Sequence, residues 1–245
     1  EAFKHRPELL LANLEGSWDS LEGSDIVIKD IWIRQAESVH RPIIDNRQKR
    51  IIVCDVSRFG DDETVIYYME DTDIKDEIIY GKKDTMQTAG KIHIFAQEKN
   101  VDLIGIDEIG VGSGVVDRLI EMGNNVLPIN SASASENKRK YYNLRAEMWW
   151  EAGERFASQD IKLSWQDKEL KRQLTAPTYL IKNGKIKIEE KDNIKKRLGR
   201  SPDRADTYVM GLYTLKHAVL REVSMRGQVN DLDYVKAHRD KYAGL

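Results

Sequence analysis

A mixed β-sheet covered by helices on both faces, an α/β fold with an added β-hairpin, is what this sequence predicts, on three observations. Three β-rich runs, "KRIIVCDVS", "ETVIYYME" and "DEIIYGKK", follow one another across short polar turns rich in Gly and Asp, the pattern of an antiparallel meander. A helical stretch then leads to the strand "VDLIGID", and a helix between strands implies a crossover to a parallel neighbour. Within "TYLIKNGKIKIEE", Asn183-Gly184 is a strong signal for a tight hairpin turn.

In chain order, residues 1–45 read as a linker from something upstream: a short helical pattern in "RPELLLANLEGSW", then a mixed stretch to "HRPIIDN". Glu1 stands where an initiator methionine would, which suggests a fragment. The compact pattern occupies residues 46–222, and residues 223–245 form a polar tail. After the meander, "DTMQTAGKIHIFAQEKN" places Met86, Ala89, Ile92, Phe95 and Ala96 at helical spacing. "GSGVVDRLIEMGN" predicts a helix with Gly123 near its end, "NVLPI" a short strand, and "NKRKYYNLRAEMWWEAGERFAS" a long helix. "SPDRADTYVMGLYTLKHAVL" predicts the closing helix, with Ser201 at the N-cap and Pro202 in the first turn. There is no internal repeat, and the only low-complexity stretch is the brief "SASAS" at residues 131–135.

Composition narrows the functional classes. At 245 residues and 40% hydrophobic content the chain can bury one good core. Its single cysteine, Cys54, excludes an internal disulfide and fits a reducing compartment. No apolar run approaches the ~18 residues of a membrane span, and no signal peptide is present, so neither membrane spanning nor secretion is expected. A formal charge of −2 argues against a general DNA-coating protein while allowing a local basic surface around an acidic site. The five histidines show no paired ligand spacing.

The predicted element order is that of a ribonuclease H-like domain, in which the first strand and the strand after the first helix lie side by side. Asp55 ends the first and Asp107 the second, so the two carboxylates should meet. Acids beside such apolar runs are costly to keep ionised unless a cation or hydrogen-bond donors satisfy them. A divalent metal held between them would do so. Asp203 and Asp206, three apart in the last helix, share one face and add to the set. Hard oxygen ligands on separate elements suit Mg2+ or Mn2+. Two such ions about 3.5–4 Å apart can activate a water and stabilise the leaving oxygen of a phosphodiester. Plainer readings stand beside these: Asp203 also suits the helix dipole, and Asp55 alone could cap a turn.

Other features are open in the same way. "GVGSG", residues 110–114, is either a phosphate cradle or a tight strand-to-helix turn. Glu108 and the trio Asp61, Asp62 and Glu63 either support the acids or decorate surface turns. Lys138, Arg139 and Lys140 form one basic cluster, and Lys195, Lys196, Arg197 and Arg200 another just before the last acids. Both are candidate DNA contacts, or else solvated faces. Trp149 and Trp150 read as core rather than as a base-stacking platform.

From about residue 48 to 220, "DVSRFGDDETVI", "LIGIDEIGVGSGVVDRL" and "GRSPDRADTYVMGL" together resemble the nuclease domain of the large terminase subunit of tailed bacteriophages, a member of the ribonuclease H-like superfamily. The resemblance implies metal-dependent, largely sequence-independent cleavage of double-stranded DNA while a genome is packaged, in the cytoplasm of an infected bacterial host. By match to the motifs, Asp55, Asp107 and Asp203 would be the catalytic, metal-binding acids, with Asp206 a further ligand. It also implies partners: an ATPase motor in the full-length protein, the phage portal and the small terminase subunit. No G-x-x-x-x-G-K-[ST] occurs here, so the chain reads as the nuclease part alone, with residues 1–45 as the tether from the motor. The rival readings are an actin- or hexokinase-type ATPase, for which a second half is lacking, a non-catalytic DNA- or portal-binding module, which needs no acids, and a ribonuclease H-like junction resolvase.

Overall fold

The computed structural model describes residues 25–38, 48–57, 63–81 and 84–218. Helix α1 (Asp30–Ser38) precedes β1 (Arg50–Asp55), β2 (Thr64–Glu70) and β3 (Asp73–Tyr80), which form the expected antiparallel meander. Helix α2 (Thr85–Lys99) starts where the Asp84 side chain accepts from the Met86 N–H, and it stops at Asn100 in the left-handed region, φ 50°. It crosses over to β4 (Leu103–Asp107), parallel to β1, and α3 (Gly112–Glu121) leads on to β5 (Val126–Ile129), parallel to β4. The five strands lie in the order β3-β2-β1-β4-β5. The chain continues through α4 (Leu144–Ala157), α5 (Lys168–Leu174), a hairpin of β6 (Tyr179–Lys182) and β7 (Lys185–Ile188), α6 (Lys191–Leu198) and α7 (Asp203–His217).

The central strands are buried on both faces, which is why β1 reads as a continuous apolar run rather than an alternating one. Ile52, Cys54, Ile104 and Ile106 point into one core, with Ala89 and Ile92 of α2 and Val115 and Leu119 of α3. Ile51, Val53, Tyr67 and Leu103 point into the other, against Trp149 and Phe156 of α4 and Tyr208 and Leu212 of α7. Two glycines let α7 lie close on this second face. A Cβ on Gly105 would stand 2.1 Å from Thr214 Oγ1, and one on Gly211 would stand 2.5 Å from Met69 Sδ. In the hairpin, Asn183 and Gly184 both have positive φ, 52° and 73°, as a two-residue type I′ turn requires.

Several local expectations are corrected. The long helix begins only after Asn143, whose side chain accepts from the Ala146 N–H. Residues 137–142 instead form turns and a bridge from Tyr141 to Ile186. The backbone of this segment is spent on the hairpin edge, so the helix cannot run through it. Ser201 is not the cap of α7. Pro202 holds that position, since its carbonyl accepts the first helical bond from the Asp206 N–H, and Ser201 lies buried one residue earlier. Residues 25–38, read from the sequence as part of a linker, are packed into the domain: Val27, Ile28 and Ile33 are fully buried, and the Val27 N–H donates to the Pro177 carbonyl. Helices α1, α5 and α6 had no counterpart in the sequence reading. The helical pattern in "RPELLLANLEGSW", the polar tail at 223–245, and Asp61 and Asp62 lie outside the described residues. Among the described residues no helix is long and apolar enough to cross a membrane.

Candidate active site

Strand parity decides where the acids point. Asp55 follows Val53 by two residues and Asp107 follows Gly105 by two, so both face the side covered by α7. Cys54 pairs with Ile106 in register, which sets Asp55 and Asp107 side by side at the carboxyl ends of two parallel strands. The close seat of α7 on Gly105 and Gly211 then brings its first turn, with Asp203 and Asp206, over the same ends.

A lysine sits among these carboxylates. Lys191, the first residue of α6, places its Nζ 3.5 Å from Asp55 Oδ2, 3.2 Å from Asp203 Oδ1 and 3.3 Å from Asp206 Oδ2. Its burial alone would lower its pKa, but the three acids hold it well above the ordinary lysine value.

Three of the four acids are also held from behind. Asp203 Oδ2 accepts from the Glu63 N–H at 3.0 Å, and Asp107 Oδ1 from the Ile109 N–H at 3.1 Å. Asp206 Oδ1 accepts from Trp149 Nε1 at 2.9 Å, with the Arg145 guanidinium at 3.5 Å. Burial pushes Asp206 up, but Lys191, Arg145 and the Trp149 bond together hold it below the usual carboxylate range. Asp55 lacks such support. Burial first, then repulsion from Asp107, Asp203 and Asp206, push it up to about 7 against the pull of Lys191. Burial likewise lifts Asp107 to about 6, opposed by the Ile109 bond and Lys191. Carboxyl groups whose pKa values are pushed apart in this way, in a cleft, mark a candidate functional site.

These groups open into a cleft of about 400 Å³ lined also by Tyr142, Asn143, Arg145 and Lys187. Among the described residues, no group of three or more His, Cys, Asp or Glu stands ready to hold a metal ion. Asp55, Asp203 and Asp206 instead close on the Lys191 ammonium.

The remaining candidates fall elsewhere. Arg197 is bonded to Glu189 through both terminal nitrogens, and Arg200 pairs with Glu63 and Glu169, while Lys196 is exposed. Lys195 is half-buried on the same helix. Lys138 and Arg139 are exposed in the turn before α4, and Lys140 is half-buried with its Nζ 4.9 Å from the Tyr141 ring centroid. Glu63 caps Asp203 through its backbone while its side chain pairs with Arg200 and Arg204. The Glu108 N–H donates to the Ile129 carbonyl. Trp149 and Trp150 are core, as expected, yet Trp149 also serves the site through Asp206. In "GVGSG", Gly110 has φ 65° and a Cβ on Gly112 would stand 1.7 Å from the Asp107 carbonyl oxygen, so these glycines make a tight turn that presents Asp107. Lys191 and Arg145 were missed by sequence reasoning. Neither carries a local signal, since each meets the acids across a long stretch of chain.

No protein-family model matches the chain, and no curated protein matches it. Among solved structures, the nuclease domain of the large terminase subunit gp2 of bacterial virus Sf6 is similar with a TM-score of 0.66 at 19% identity, over 76% of this chain and 97% of that one. A mutant of that domain with manganese gives 0.65 at 18% identity, over 76% and 98%. The large terminase nuclease from thermophilic phage G20c with bound magnesium gives 0.53 at 13% identity, over 76% and 97%. The likeness establishes the fold: it is that of the large terminase nuclease domains, a mixed sheet of ribonuclease H-like order.

Proposed function

We propose that this chain is a metal-dependent endonuclease that cleaves double-stranded DNA, largely without regard to sequence, during the packaging of a phage genome. The observation that carries this reading is the convergence of Asp55, Asp203 and Asp206 on one cationic position, with Asp107 alongside, at the carboxyl end of the sheet. The donors are all hard carboxylate oxygens and already surround a positive charge, which fits Mg2+ or Mn2+. Similar structures with manganese or magnesium support that choice. Asp55, Asp107 and Asp203 would hold two ions, with Asp206 as a further ligand. Bound there, such ions would activate a water and stabilise the leaving oxygen.

The protein's own contribution is to position and to charge these groups. Trp149 and Arg145 fix Asp206 in its ionised form, and the Glu63 and Ile109 N–H groups fix the carboxylates of Asp203 and Asp107. Asp55, which burial and the neighbouring acids push up to about 7 without metal, would be held ionised by a bound cation and so give up its proton when the ions enter. Lys191 neutralises the cluster when no ion is present.

In this reading the nuclease unit takes in residues 25–38 as well as the 46–222 read from the sequence, and an ATPase motor, the portal and the small terminase subunit are its partners in the host cytoplasm. Supercoiled plasmid incubated with Mn2+ should be nicked and linearised. A chelator should stop the reaction, and Asp55→Asn or Asp107→Asn should abolish it without loss of fold. Substantial cleavage by both purified variants would defeat the assignment.

A further inference from the structure

We infer that the outer face of the β6–β7 hairpin, together with Tyr142, holds the sugar-phosphate backbone of duplex DNA beside the acids. This deepens the nuclease reading and rests on it. Strand alternation splits the hairpin cleanly. Tyr179, Ile186 and Ile188 are buried, while Leu180, Lys182, Lys185 and Lys187 take the opposite face. Register sets Lys182 directly across from Lys185 and Leu180 across from Lys187. Like charges placed opposite one another destabilise a strand pair. Lys187 pairs with Glu190 at 2.5 Å, and that carboxylate also acts on Lys182 at longer range, while among the described residues neither Lys182 nor Lys185 forms an ion pair. An anionic partner would relieve the remaining repulsion.

Tyr142 places this surface at the cleft. The Ile186 N–H donates to the Lys140 carbonyl and the Tyr142 N–H to the Ile186 carbonyl, which lays residues 140–142 parallel to β7. Tyr141 then faces inward, and Tyr142 faces outward at 47% exposure. Lys182 Nζ and Lys187 Nζ stand 5.6 and 5.1 Å from the centroid of its ring. Tyr142 and Lys187 line the same cleft as Asp55, Asp107 and Asp206. The half-exposed ring, with these ammonium groups over it, therefore offers aromatic surface to a sugar and cations to the flanking phosphates. Such a surface offsets the repulsion between a cluster of acids and the DNA backbone. The α6 face is less able to do this, because both of its arginines, Arg197 and Arg200, are paired with glutamates, whereas on the hairpin only Lys187 is in an ion pair among the described residues.

The test is fluorescence anisotropy of a short labelled duplex with the full chain, in chelator so that no cleavage occurs, across a salt series. The triple variant Lys182→Gln, Lys185→Gln, Lys187→Gln should bind more weakly, with the slope of log affinity against log salt reduced by up to about 2.7, or 0.9 per phosphate contact. Raising salt from about 50 to about 200 mM should then cost the variant about 40-fold less affinity than the parent. Lysine-to-arginine replacements at the same positions should keep the slope, which separates lost charge from lost fold. Tyr142→Ala should weaken binding and keep the slope. Unchanged affinity and slope in the glutamine variant, or loss only in Lys195→Gln, Lys196→Gln, would overturn the proposal. So would an unaltered chain that binds no duplex. Metal-dependent cleavage, measured separately, judges the nuclease reading. Its absence alongside the expected binding results would sink that reading and leave this surface standing.

Discussion

Replacing Lys191 with methionine removes a charge while keeping most of the side chain's shape. In the metal-free protein its ammonium stands 3.2–3.5 Å from three carboxylates, and the side chain is 40% exposed. Unit charges at such separations attract by about 1 kcal/mol in water and about 5 kcal/mol at an effective dielectric near 20. The exposure favours the lower figure, so three contacts are worth about 3 kcal/mol in total. Under the nuclease reading, an incoming divalent ion would displace the ammonium from the place where the acids converge and would bear that cost. Because a lysine can shift aside without losing every contact, removing it should tighten Mn2+ binding by about ten- to hundredfold, at about 1.4 kcal/mol per factor of ten. Isothermal calorimetry reads this directly. Thermal unfolding gives a second readout of opposite sign. Without metal, Lys191→Met should melt below the parent, since the acids lose their neutralising partner, while the Mn2+-induced rise in Tm should be larger. Equal or weaker Mn2+ affinity in the variant would show that the ammonium and the metal do not compete, and the metal position inferred from Lys191 would fall.

Asp55 and Asp107 have folded pKa values of about 7 and about 6, above the 3.8 of an unperturbed aspartate, so the folded state binds the extra protons between those values. Metal-free stability should therefore fall as pH rises from about 4 to about 7 and level off above. Asp206 acts in the opposite sense, its contribution being lost only as pH falls through its lowered pKa. Urea unfolding in chelator should show a flatter pH profile for Asp55→Asn, and Asp107→Asn should be no less stable than the parent at neutral pH. A clear loss of stability in metal-free Asp107→Asn would make that residue structural. Trp149→Phe deletes the donor to Asp206 and should lower stability by about 1.5–3 kcal/mol, the range for a hydrogen bond to a charged group. A change under about 0.5 kcal/mol in urea unfolding would mean that Arg145 suffices to hold Asp206. Gly105→Ala drives a methyl toward Thr214 Oγ1, which a Cβ would approach to 2.1 Å, and should cost about 1–3 kcal/mol. Adding Thr214→Ala should recover part of that loss, and no recovery would place the strain elsewhere.

What the sequence determined by itself follows from local periodicity. The meander, the crossovers on either side of β4, and the Asn183-Gly184 turn are written in apolar runs and turn residues, and together they fix a strand order that sets Asp55 beside Asp107. Because side chains alternate along a strand, the identity of residues 53–55 and 105–107 also determines that both acids face one side. The spacing of Asp203 and Asp206 places them on one face of the first turn of α7 in the same way. Tertiary structure decided the charge balance of the site. Lys191, Arg145 and Trp149 reach the acids from α6 and α4, and nothing in their neighbouring residues distinguishes them from other lysines, arginines or core tryptophans. Packing also redistributed the basic residues. Both arginines in "KKRLGR" turn back onto glutamates, while Lys187 of the hairpin, unremarked in the linear pattern, comes to line the cleft. Periodicity sets which face a side chain takes, but its charge partners depend on how far each helix slides and turns against the sheet. That is set by close contacts such as Gly105 against Thr214, between residues more than a hundred positions apart.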